Sequence, residues 1–135
     1  MTTPALAEVP VRSAAELTSR WSALLDPPEF AARSLVLTWF ASDGRQEPMV
    51  IPVEDVPRVP DVALLVDVRQ LHESVLTGQL GGRGHLALAL CRPGSGSPTP
   101  DDEAWVEALR ELLDDGAWSL HLAAAGSVVP LVDVP

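Results

Sequence analysis

The sequence predicts a single α/β domain built on one mixed β-sheet with three helices. Three observations carry that expectation. A chain of 135 residues with 47% hydrophobic content is long enough to bury one sizeable core without disulfides or metal. Its apolar periodicity alternates between helical and strand spacing in the order α, β, β, α, β, α, β, β, which suits a sheet with helices packed on it. Finally, proline and glycine clusters separate the periodic segments. Residues 1–12, with Pro4 and Pro10, read as an extended arm, and residues 13–135 as the domain.

The first helix starts at Ser-Ala-Ala-Glu, a capping box in which the Ser13 hydroxyl and the Glu16 carboxylate each satisfy a backbone N–H. Leu17, Trp21, Leu24 and Leu25 follow at helical spacing, and Pro27 and Pro28 stop the helix. SLVLTWFA from Ser34 is β-branched and aromatic, and SDGR offers a turn at Gly44. A second strand over residues 48–53 then completes a hairpin. Its Pro48 and Pro52 cannot donate to a ladder and favour a sheet edge.

Asp61 is placed to cap a second helix, whose Leu64, Val68, Leu71 and Val75 form one apolar stripe and which Gly78 would close. GQLGGRG leads into HLALALC, a short apolar run bounded by glycines. This reads as a central strand, although Leu-Ala composition leaves a helix open. Thr99, Pro100, Asp101 and Asp102 open the third helix as N-cap, first-turn proline and dipole-matched acids. Trp105, Ala108, Leu109 and Leu112 make its buried face and Gly116 closes it. WSLHLAA and SVVPLV end the chain as two short strands.

Composition narrows the function classes. The chain has no Lys, Asn or Tyr and one isoleucine, Ile51, the bias of GC-rich, actinobacterial-type coding. A formal net charge of −10 repels a polyanionic backbone, so nucleic-acid binding is not expected. Cys91 is the only cysteine, which excludes an intramolecular disulfide and a multi-cysteine zinc site and fits a reducing cytoplasm. No apolar run approaches the roughly 20 residues of a membrane span, and the N-terminus lacks a basic-then-apolar leader pattern.

Few residues offer chemistry. The loop RPGSGSPTP precedes a helix, as phosphate-binding loops do, but the helix opens with carboxylates and the Gly-Lys-Ser/Thr ending is absent. His85 and Cys91 lie six residues apart on one strand, roughly 20 Å, too far to share a metal. No His-x-His, His-Glu-x-x-His or Cys-x-x-Cys occurs. A Cys91 nucleophile with His121 or His85 as base would make a small acyl- or thiol-directed enzyme; the plainer reading is a cysteine filling the core. An apolar ligand pocket between helices and sheet, gated by the glycine-rich Gly78–Gly84 connection, is a third possibility. Asp114 and Asp115 sit where a helix dipole disfavours negative charge. Together with Arg92, Asp101 and Asp102 they are read as a candidate interaction surface. Trp39 and Phe40 point to opposite faces of their strand, so helices or a second subunit must cover both.

The segment LALALCRPGSGSPTPDDEAW resembles the JAB/MPN-type metallopeptidase-like domains, in particular the RadC-like branch. There a hydrophobic strand runs into His-x-His-Pro-Ser-Gly-Asp-Pro-Thr-Pro and an acid-rich helix start. The likeness extends over residues 34–132, including the hairpin with its Asp43-Gly44 turn and the final two strands. It implies a layered architecture of the cytidine-deaminase and JAB kind. Aligned on Pro93, the family's two metal-binding histidines fall at Leu90 and Arg92, which cannot ligate zinc, while Asp101 or Asp102 would stand for the ligand carboxylate. The expectation is therefore a metal-free, cofactor-free, non-catalytic cytoplasmic domain. It would act by protein–protein contact, including with a second copy of itself as a homodimer.

Overall fold

The computed structural model describes residues 11–113 and 117–132. It is a mixed α/β fold with three helices and one five-stranded sheet, in the order α1 (Ala14–Leu24), β1 (Ser34–Phe40), β2 (Gln46–Glu54), α2 (Val62–Gln79), β3 (His85–Cys91), α3 (Pro100–Leu112), β4 (Ala117–Ala124) and β5 (Ser127–Val132). Most of the expected N-terminal arm, and Gly116 with Asp114 and Asp115, lie outside the described residues. None of the helices described is long and apolar enough to cross a membrane.

The strands run β2-β1-β3-β4-β5 across the sheet. β1 is antiparallel to both β2 and β3, β3 is parallel to β4 through the α3 crossover, and β4 and β5 form a hairpin. HLALALC is thus the middle strand, which settles its strand-or-helix ambiguity. Leu86, Leu88 and Leu90 face α2 and α3, with Val68, Val75, Trp105 and Leu109 packed over them. Ala87, Ala89 and Cys91 face α1, where their small side chains, with Ala123, leave room for Leu17 and Trp21. Trp39 and Phe40 do fall on opposite faces, and helices of the same chain cover both. A second subunit is not needed to bury them.

The helix ends refine the capping expectations. Ser13 Oγ accepts the Glu16 N–H at 3.1 Å, but the Glu16 carboxylate accepts from Arg12 N–H, at 2.6 Å, instead of from the cap residue itself. Asp61 caps α2 with no side-chain hydrogen bond. That helix passes through Gly78 to end at Leu80, whose N–H reaches the Leu76 carbonyl. The donor for the last turn is thus supplied two residues later than the glycine signal suggested. Pro48 and Pro52 lie on edge strand β2, four residues apart.

Candidate functional site

The β3–α3 junction is organised by Arg92, the first residue beyond β3. Its side chain is 2% exposed and all five of its N–H donors are used. Nε donates to Asp102 Oδ1 at 2.9 Å and Nη2 to Asp102 Oδ2 at 2.7 Å, a bidentate pair. Nη1 donates to the carbonyls of Pro93 and Ser95 at 3.1 and 2.6 Å, and Nη2 also to that of Ser97 at 3.0 Å. The loop is therefore folded around the guanidinium, its alternate carbonyls turned inward, while Pro93, Ser95, Ser97 and Pro98 remain exposed.

Asp102 is fully buried in the first turn of α3. Besides Arg92 it accepts the Thr99 N–H at 2.8 Å, while Thr99 Oγ1 accepts the Asp102 N–H at 3.3 Å, a reciprocal capping box. Burial by itself would raise the Asp102 carboxyl. The Arg92 hydrogen bonds, with those from Thr99, override it and hold the group below its ordinary value. Hydrogen bonding to Asp102 in turn outweighs burial at Arg92 and pushes the guanidinium up.

These positions correct the proposed interaction surface. Arg92 and Asp102 are interior groups, tolerated there because each satisfies the other and the loop carbonyls take the remaining donors. Asp101 is partly exposed and pairs with Arg58 at 3.4 Å across the β2–α2 loop. Asp114 and Asp115 lie outside the described residues.

A zinc ion does not fit the residues at this junction. Leu90 is buried among the leucines facing α2 and α3, and Arg92 brings its own positive charge against the one buried carboxylate. Among the described residues, no group of three or more His, Cys, Asp and Glu is placed to hold a metal.

Cys91 and His121 do share the α1 face of the sheet, on adjacent strands, but out of register. Cys91 lies opposite Ala123 and His121 opposite Ala89. The thiol is fully buried and burial pushes it up to about 11, against a smaller opposing effect from Ser34. It donates weakly to the Ala89 carbonyl at 3.9 Å. His121 Nε2 is 2.9 Å from Thr18 Oγ1, which also lies 3.2 Å from the Ala14 carbonyl as its donor. No activated thiolate forms from such parts.

The other two histidines have separate partners. His72 Nδ1 accepts the indole N–H of Trp39 at 3.1 Å, tying α2 to β1. His85, at the far end of β3 from Arg92, is 2.8 Å from Ser119 Oγ through Nε2. Sequence reasoning passed over Ser119 and Thr18. The signal available was their position: each is a hydroxyl residue inside an apolar pattern, where a buried polar group needs a partner. Compared with known proteins, the chain matches no family model, no curated protein and no solved structure.

Proposed function

We propose that this chain is a metal-free, non-catalytic bacterial domain of JAB/MPN type that acts in the cytoplasm through protein–protein contacts, a second copy of itself being the first partner to test. The observation that carries this reading is the Arg92 clasp. Where the resemblance implies a metal ion beside a ligand carboxylate, this chain supplies a fixed guanidinium beside Asp102 and closes the junction with its own loop. No open coordination position or activated nucleophile is left there to do chemistry.

The same clasp favours recognition. With the carbonyls of Pro93, Ser95 and Ser97 held inward, the exposed side chains of the loop are presented in one conformation, so a partner that binds them has little ordering entropy to overcome. Exposed Val59 and Val62, flanking the start of α2, and Val66 one turn further add apolar surface of the kind that protein partners cover.

Site-specific photo-crosslinking tests the reading. A benzophenone side chain at Ser95, introduced in cells that express the protein, is expected to give a discrete covalent adduct, and one at Ser74 on the exposed face of α2 is not. An adduct of twice the chain mass identifies self-association, which light scattering on the purified protein would then report as a dimer. Failure of position 95 to crosslink to anything, together with a strictly monomeric chain at high concentration, would overturn the proposal.

A further inference from the structure

A cavity of about 580 Å³ lies at the opposite end of β3 from the Arg92 clasp. It opens between the first turns of α1, the β1–β2 turn and the start of β3, and its apolar wall includes Ala14, Leu17, Phe40 and Ala117. That volume is within the range of sites for small organic molecules.

One half-buried titratable side chain, His85, forms part of this wall. Its ring edge meets Phe40, with centroids 6.5 Å apart and planes at 64°. Nε2 is turned to Ser119 Oγ at 2.8 Å. Ser119 is fully buried, and among the described residues its hydroxyl has no other hydrogen-bond partner. A buried hydroxyl left without an acceptor is costly, so the Ser119 O–H donates to Nε2 and the imidazole proton sits on Nδ1. Burial, with smaller effects from His121 and His72, lowers His85 to about 4 and keeps the ring neutral near pH 7. Nδ1 has no hydrogen-bond partner among the described residues, and it is not sealed from solvent.

Apart from Arg12, Ser13, Ser42 and Asp43, which are exposed, the lining is mostly apolar, and His85 offers it a neutral N–H donor. The exposed Arg12 and Asp43 on the lining carry opposite charges, so the pair favours neither sign of ligand, and the neutral imidazole supplies no countercharge to a carboxylate. A cation would be placed against an N–H donor and the positive end of α1. We propose that the cavity binds a small neutral carbonyl compound whose oxygen accepts the Nδ1–H of His85 and whose aromatic or aliphatic body lies on Leu17, Phe40 and Ala14. The site is independent of the clasp at the other end of the sheet, so it stands or falls separately from the protein-contact reading.

Fluorine NMR of the full chain with para-fluorobenzamide, and with para-fluorotoluene as the probe lacking the carbonyl, tests this. The amide is expected to bind saturably with a Kd on the order of 1 mM, about tenfold more tightly than the toluene. In the unmodified protein it should shift the His85 imidazole nitrogen resonances. His85→Phe, which keeps the apolar bulk and removes the donor, should abolish the difference between the two probes. Equal affinity of the two probes for the unmodified chain, or no binding of the amide, or binding that leaves the His85 resonances unmoved, would each overturn the site.

Discussion

Arg92 and Asp102 show how much one pair of side chains decides. Each charge is removed from water, and each is tolerated because the other, with the loop carbonyls and the Thr99 N–H, replaces the lost hydration. Arg92→Met therefore leaves a buried carboxylate without a countercharge and a loop without its anchor. Urea denaturation should show a loss of about 3–5 kcal/mol. Arg92→Met combined with Asp102→Leu should cost less than the sum of the two single changes, because no uncompensated charge remains. Additive losses would mean that the pair does not act as a unit. At Cys91 the expectation concerns reactivity: a buried thiol raised to about 11 should react with iodoacetamide about a hundredfold more slowly at neutral pH than an exposed cysteine, until the chain is unfolded. Rapid labelling of the native protein would restore the nucleophile reading.

At the scale of elements, the turns and caps carry the most specific local information. Gly44 sits in the β1–β2 turn with φ of +90°, and a Cβ there would collide with the carbonyl oxygen of Val11, whose N–H donates to the Gly44 carbonyl at 2.7 Å. Both the backbone region and the space are reserved for glycine. Gly44→Ala should thus cost at least about 1 kcal/mol in thermal or urea unfolding and loosen the wall of the cavity that Gly44 lines. A neutral effect would show that the segment at Val11 moves aside freely. The Thr99 N-cap, first-turn Pro100 and acidic opening of α3 could be read from Ser-Pro-Thr-Pro-Asp-Asp alone, since each residue type matches one helix-end requirement. That the same Asp102 also holds Arg92 could not be read, because the partner comes from the preceding strand and the contact depends on how the loop closes.

For the whole molecule, the titrations of buried groups set the response to acid. His85 is lowered from 6.5 to about 4 in the folded chain, so between those values the unfolded chain binds more protons. Its contribution to stability, up to about 3 kcal/mol, is complete above pH ~6.5 and is lost as pH falls toward the folded value. Asp102 is also lowered, so its contribution is present above the ordinary carboxylate value and disappears only in stronger acid, below pH ~4. Urea midpoints measured from neutral pH downward should fall in two stages, and His85→Phe should remove the first. A midpoint independent of pH across the histidine range would contradict the burial of that ring.

The order of eight elements was legible in the chain because helix and strand periods, prolines and caps are local properties, each written in a few consecutive residues. The central placement of HLALALC followed from its apolar run. What tertiary structure alone decided is the fate of the polar residues. It took Arg92 and Asp102 from a presumed surface into the interior, parted Cys91 from His121 by register, and gave His85 a hydroxyl partner beside a cavity. A polar side chain's role depends on which acceptor or donor is brought to it across the sheet, and strand register and loop closure, which set that meeting, are not local quantities.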